Sequence, residues 1–243
     1  MKKSAVCILL LSLLCTSFAY AGLREDVEAE ARDITSTGPH SGATVDLKTI
    51  IAGLKEALSL GVRNGVANVA QRDGYFGNQL IKILVPEKMQ KITDGLRETG
   101  FHTEADQFEL SMNRAAEKAA PMARQIFIDA IKTITIHDAE TILRGSDTAA
   151  TDYLKSKTYD RIYGKFKPAI SSAMKDVGVT RYFQELMDAA KTIPLLKDQT
   201  VDLNHYVTSK ALDGLFLMVG EEEKKIRKDP AARGTKLLKT VFE

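Results

Sequence analysis

Apolar side chains recur every three or four residues along most of the chain, which is the spacing of one face of an α-helix. The first such stripe follows Asp46, a candidate N-cap, and includes Leu54 and Leu58. Further stripes begin near Pro86, Thr103, Pro121, His137, Asp147, Thr180, Asp202 and Pro230. The pattern predicts an all-α protein in which residues 46–243 form one compact domain of about eight to ten helices.

Two stretches interrupt this helical pattern. Residues 61–77 contain four glycines and predict an irregular connection, because glycine allows backbone conformations that other residues avoid. The run Leu80–Val85 is short and mostly apolar, so it predicts either a strand or a buried extended segment. If the run is a strand, it could pair with residues 193–196 in a very small two-stranded β element.

The first 21 residues predict a cleaved secretory signal peptide. They contain Lys2 and Lys3, an apolar run that is too short to span a bilayer, and small residues at Ala19 and Ala21. A lipoprotein signal ending at Cys15 is the alternative, but Leu14 stands where such a signal needs a small residue. The expected organisation is a signal peptide over 1–21, an arm and linker over 22–45, and the helical domain.

Cleavage changes the charge and the redox chemistry of the protein. It removes two of the 34 basic residues, none of the 32 acidic residues and both cysteines. The exported chain is then formally neutral, which argues against nucleic acid as a partner, since phosphate binding needs concentrated Lys and Arg. We expect a periplasmic or secreted bacterial protein with no disulfide and no transmembrane span after cleavage.

Familiar catalytic signatures are absent from the sequence. It contains no nucleophile elbow, no phosphate-binding P-loop, no zinc-protease motif and no EF-hand. The four histidines lie singly in unrelated segments, whereas metal sites bring ligands together at short spacings. The sequence therefore predicts no catalytic residue, no metal and no cofactor.

The alanine-rich helix has a line of polar residues in which Glu109, Asn113 and Glu117 follow one another at intervals of four. This line is either a solvated face, with Arg114 pairing locally to Glu117, or a covered face that binds a cation or a basic group. A covered face needs a partner for its charges. Our hypothesis is that at least one glutamate pairs with an arginine near a glycine-marked helix end and supports a nearby groove. The candidate arginines are Arg63, Arg72, Arg144 and Arg181.

Two further segments have open interpretations. The glycine-rich stretch is either an irregular connection or the wall of a pocket in which Arg63, Arg72 and Tyr75 bind an anion. Residues 221–223 are three glutamates that precede several basic residues by about one helical turn, which predicts a solvated helix end. A patch for docking a partner is the alternative there.

Four sequence strings resemble one bacterial family of exported helical proteins, the domain-of-unknown-function family numbered 4197. The resemblance extends from about residue 46 to the C-terminus and implies no activity, cofactor or site residue. The strings are Leu60–Asn68, Phe108–Pro121, Lys210–Phe216 and Glu221–Arg233.

The expected function is that of a non-enzymatic exported protein that binds an unknown protein or small ligand in a groove between helices. The first alternative is a carboxylate-dependent hydrolase or transferase, which would place an acid in a water-poor pocket beside a second polar group. The second alternative is a structural protein of the cell envelope.

Overall fold

The computed structural model describes residues 47–100, 102–191 and 201–235, together with 237 and 239, and these residues form an all-α domain without strands. Two 3₁₀ turns, Ala120–Met122 and Pro230–Ala232, accompany the α-helices. The α-helices are α1 (Leu47–Ala70), α2 (Glu87–Glu98), α3 (His102–Ala119), α4 (Ala123–Lys132), α5 (Ile136–Arg144), α6 (Ala149–Asp176), α7 (Val179–Lys191) and α8 (Leu203–Lys228). The predicted signal peptide and linker, the segment 193–196 and most of the C-terminal stretch lie outside these described residues.

The core lies between the long helices. Helix α8 packs along both α1 and α6, α3 packs on α6 and α7, and α4 bridges α1 and α6. Almost all buried apolar side chains join one continuous cluster, which includes Leu54 and Phe127. The amphipathic stripes of the sequence therefore face a shared interior, as their spacing predicts.

Several helix boundaries follow the capping signals of the sequence. Helix α2 begins directly after Pro86, and Gly100 has a positive φ of 96° two residues beyond its end. The Asp202 side chain accepts a hydrogen bond from His205 N–H and caps α8. Asp229 likewise caps the final 3₁₀ turn by accepting from Ala231 N–H.

The expected connection over residues 61–77 is wrong in its first half, because α1 continues to Ala70. Gly61 and Gly65 are buried within the helix, and both face α8. A Cβ atom added at Gly65 would lie 3.2 Å from Val219 Cα. These glycines therefore allow two helix backbones to approach closely, and the irregular segment begins only at residue 71.

The expected solvated end of α8 is also wrong for two of its three glutamates, since Glu222 and Glu223 are buried. Glu223 accepts hydrogen bonds from the N–H groups of Ala150 and Thr151, at 3.0 and 2.8 Å, and pairs with Arg227 at 2.9 Å. The first amides of a helix have no partner within it. Glu223 thus caps α6 from a different helix.

The apolar run Leu80–Val85 forms no strand, since Leu80 and Ile81 belong to a turn and residues 82–86 have no regular secondary structure. Ile81, Ile83 and Val85 are buried, whereas Leu84 between them is exposed. This alternation of buried and exposed residues is typical of a strand. The backbone of the run is hydrogen-bonded by a side chain of α3 instead of by a second strand, as described below.

Candidate functional site

The polar line of α3 meets the irregular segment between α1 and α2, which we call the 71–86 loop. Asn113 is fully buried at the centre of this contact. Its side-chain oxygen accepts from Ile83 N–H at 2.8 Å, and its Nδ2 donates to the Ile83 carbonyl at 2.8 Å and to the Glu109 carbonyl at 2.9 Å. The amide is therefore fully used in positioning the backbone of the loop.

Glu117 binds the start of the same loop and is only 5% exposed. Its Oε1 accepts from the N–H groups of Tyr75 and Phe76, at 3.2 and 3.3 Å. Its Oε2 lies 2.6 Å from Nη1 of Arg114, whose Nη2 also reaches Asp73 Oδ1 at 2.7 Å. Asp73 has a positive φ of 65°, so this ion pair restrains the loop at its least favourable backbone position.

Glu109 contacts the far part of the loop through an ion pair. Its Oε1 lies 2.7 Å from Lys82 Nζ, and both side chains are largely buried. Lys82 also covers the Phe76 ring, with its Nζ 4.4 Å from the ring centroid. This contact is a cation–π interaction that ties two parts of the loop together.

Tyr75 anchors the loop in the core. Its side chain is fully buried, and its hydroxyl donates to the Ala211 carbonyl of α8 at 2.6 Å. Burial, reinforced by the charge of Glu117, raises the pKa of the Tyr75 hydroxyl far above its ordinary value. The ring lies over Gly214, where an added Cβ would approach Cε1 of Tyr75 to 2.8 Å.

The polar line is therefore covered, as one of the two sequence hypotheses expected, but it does not bind the arginines proposed for that case. Its basic partners are Lys82, which the loop brings to α3, and Arg114, whose local pair with Glu117 was the expectation for a solvated face. Arg144 is exposed, and Arg181 faces Glu185. The expected partnership with one of the four arginines is wrong.

Tyr75 differs in its exposure from the two arginines of the expected anion pocket. Arg63 and Arg72 are exposed, whereas Tyr75 lies in the core and its hydroxyl donates a hydrogen bond to the Ala211 carbonyl. Tyr75 therefore does not share an open pocket wall with the two arginines. An anion bound by the arginines alone stays a prediction.

Glu223 is one of the residues that line a small apolar void between α1, α6 and α8. The void has about 10 Å³ of free space, which is room for a single water molecule at most. Glu223 is already bound to the first turn of α6 and to Arg227. This buried acid is a structural cap with no space for a substrate beside it.

A larger opening, which we call the proline groove, lies between the α3–α4 junction and the middle of α6, with a volume of about 390 Å³. Pro121 ends the hydrogen-bond ladder of α3, and Pro168 interrupts that of α6, because proline has no N–H to donate. An ion pair between Lys118 and Asp176 joins the two helices at the groove. The groove is lined by Lys118, Ala119, Met122, Lys165, Pro168, Ala169, Ser172, Ala173 and Asp176.

The comparisons with known proteins identify the family of the chain. Residues 44–243 match a family model described as "Protein of unknown function (DUF4197)". The chain belongs to the DUF4197 family. No curated protein and no solved structure matches it.

The match confirms the resemblance seen in the sequence strings and covers the whole described part of this DUF4197 chain. No helix within that part is both long and apolar enough to cross a membrane. The proline groove was not predicted from the sequence, although two signals pointed to it. Both are prolines inside helical patterns, and an alanine adjoins each of them.

Proposed function

We propose that this DUF4197 protein is a non-enzymatic exported protein that binds its ligand or partner in the proline groove. The observation that carries the proposal is the groove itself. Its volume lies in the range of small-molecule sites, and its floor is formed by Ala119, Ala169 and Ala173 between two lysines, with Met122 at the rim. An apolar floor with a few charged groups at its rim is the usual composition of a binding site.

The placement of the acids favours binding over carboxylate chemistry. The side-chain oxygens of four buried or half-buried glutamates are bound to lysines, arginines, an asparagine or backbone amides. These glutamates are Glu109, Glu117, Glu222 and Glu223. General acid–base catalysis needs a carboxylate that faces the substrate. Among the described residues, the buried and half-buried glutamates of α3 and α8 thus act as supports of the fold.

Ser172→Trp tests the groove, because Ser172 is exposed on its wall and tryptophan would fill it. Ser156→Trp is the matched control, since Ser156 is an exposed serine of the same helix outside the groove lining. Native mass spectrometry of protein purified from its producing bacterium should find a bound molecule or partner in the wild type and the control, and should lose it in Ser172→Trp. Retention of the bound species in Ser172→Trp would contradict the proposal.

The exported location is tested separately by N-terminal sequencing of the purified protein. The proposal expects a chain that begins at Gly22, after removal of the 21-residue signal peptide. An acylated Cys15 at the N-terminus would instead establish a lipid-anchored protein.

A further inference from the structure

The exposed face of α6 beside the proline groove is strongly basic. Between residues 155 and 175 the helix has six basic residues and one acidic residue, whereas the chain as a whole has a net charge of only +2. Four of the basic residues, Lys157, Arg161, Lys165 and Lys175, follow the helix at intervals that place them on one side. We call these four residues the basic ridge, and it is about 27 Å long at 1.5 Å per residue.

Half of the ridge has no ion-pair partner in the described part of the chain, and among carboxylates Lys157 has only the electrostatic influence of Asp138. Arg161 faces Asp129 of α4, but the two groups are 3.6 Å apart and both are exposed to solvent. No carboxylate in the described part of the chain lies within ion-pair distance of the amino groups of Lys165 or Lys175. The ridge therefore presents a row of positive charges to an external partner.

The ridge and the groove form one surface, because Lys165 belongs to both. Met122 lies on the opposite rim and is 48% exposed, although methionine usually prefers the interior. The surface thus combines a long row of positive charges, a shallow apolar floor and a projecting apolar side chain. Proteins that lie on lipid bilayers use this combination.

We propose that the basic ridge and the proline groove dock on an anionic phospholipid bilayer, with the groove receiving part of one lipid. This inference rests on the proposed function, since it names the class of ligand that the groove binds. Three of the four ridge residues are lysines, which act as hydrated point charges and suit the diffuse potential of a lipid surface. An acidic protein segment would be expected to meet more arginine, whose planar fork pairs with carboxylates in fixed geometry.

Vesicle co-sedimentation tests the inference with two lipid compositions. Wild-type protein lacking the signal peptide should bind vesicles of mixed phosphatidylglycerol and phosphatidylcholine, should not bind vesicles of phosphatidylcholine alone, and should bind more weakly as salt is added. The double variant Lys165→Gln with Lys175→Gln should weaken binding by about 25-fold, because each charge near an anionic surface contributes about fivefold. The control Lys88→Gln with Lys91→Gln removes two exposed lysines of α2 and should bind like the wild type.

Three results would each overturn the inference: no binding to the anionic vesicles, equal binding to both vesicle types, or unchanged binding by the ridge variant. The groove experiment separates these failures from a failure of the proposed function. If Ser172→Trp removes a bound species and the wild type does not bind anionic vesicles, the proposed binding function is supported and the ligand is of another class, such as an acidic protein. A protein that neither holds a species in the groove nor binds vesicles would refute both proposals.

Discussion

The side chain of Asn113 makes two hydrogen bonds with the backbone of Ile83, one to its N–H and one to its carbonyl, each 2.8 Å long. A neighbouring strand would satisfy the same two groups in a β-sheet. The asparagine therefore takes the place of a neighbouring strand at Ile83, where no described segment pairs with the backbone. Buried backbone groups are costly when unpaired, so the loop depends on this residue.

Asn113→Ala should lower the free energy of unfolding by about 2 to 4 kcal/mol, because two buried backbone groups of Ile83 lose their partner. Urea denaturation measures the change. Asn68→Ala is the control, since Asn68 is exposed on α1. A loss below about 0.5 kcal/mol for Asn113→Ala, the usual effect of a surface substitution, would show that the loop does not need this contact.

Glu117→Gln should destabilise the protein more than Glu109→Gln. Glutamine at position 117 keeps an oxygen for the N–H groups of Tyr75 and Phe76 but loses the charge that faces Arg114, which predicts a loss of about 1 to 3 kcal/mol. Glu109 contributes one largely buried ion pair with Lys82, which glutamine can partly keep as a hydrogen bond, so the predicted loss is smaller, about 1 kcal/mol. Thermal melts of both variants check the order, and unchanged melting of both would mean that the polar line is an ordinary surface.

The sequence predicted the helices well because each depends on local signals such as Pro86, Asp202 and the apolar stripes. It predicted the local pair of Arg114 with Glu117, but it could not predict pairs between charges that are distant in the chain. Lys82 reaches Glu109 only because the loop folds across α3, and Glu223 reaches the start of α6 only because α8 packs beside it. Glycines were similarly ambiguous, because a glycine that lets two helices approach has the same sequence appearance as one that ends a helix.

Leu54→Ala and Phe127→Ala should each cost about 2 to 5 kcal/mol, because both side chains are removed from a closely packed core. Urea denaturation at neutral pH measures the cost. Leu84→Ala is a suitable control, since Leu84 is an exposed leucine of the 71–86 loop. Equal stability of all three variants would contradict the packing of α1 and α4 described above.

Tyr75 should make the protein sensitive to alkali. Its hydroxyl has an ordinary pKa of 10.0 in the unfolded chain, and burial raises that pKa in the folded state. The stabilisation that the buried neutral hydroxyl of Tyr75 contributes is therefore complete below the ordinary tyrosine pKa. It is lost as the pH rises from there toward the folded-state pKa, because in that range only the unfolded chain releases the proton.

The Tyr75→Phe variant tests this pH dependence. Near neutral pH the variant should be about 1 kcal/mol less stable than the wild type, because the hydrogen bond to Ala211 is missing. Between about pH 8 and about pH 11 the free energy of unfolding should fall less in the variant than in the wild type. Urea denaturation at both pH values measures the difference, and the other tyrosines are common to both proteins. An equal fall in stability for the two proteins would contradict the assignment to Tyr75.

Gly214 and Gly164 should respond in opposite directions to substitution by alanine. A Cβ atom at Gly214 would lie 2.8 Å from Cε1 of Tyr75 and 3.0 Å from Cβ of Ile81, so α8 would have to move away from the loop. Overpacking of this kind costs about 1 to 3 kcal/mol.

A Cβ atom at Gly164 meets nothing within 4 Å, and Gly164 lies inside α6, where alanine favours the helix by about 0.5 to 1 kcal/mol. Urea denaturation should therefore rank Gly164→Ala above the wild type and Gly214→Ala below it. The reverse order would mean that the loop and α8 are not in the close contact on which the anchoring of Tyr75 depends.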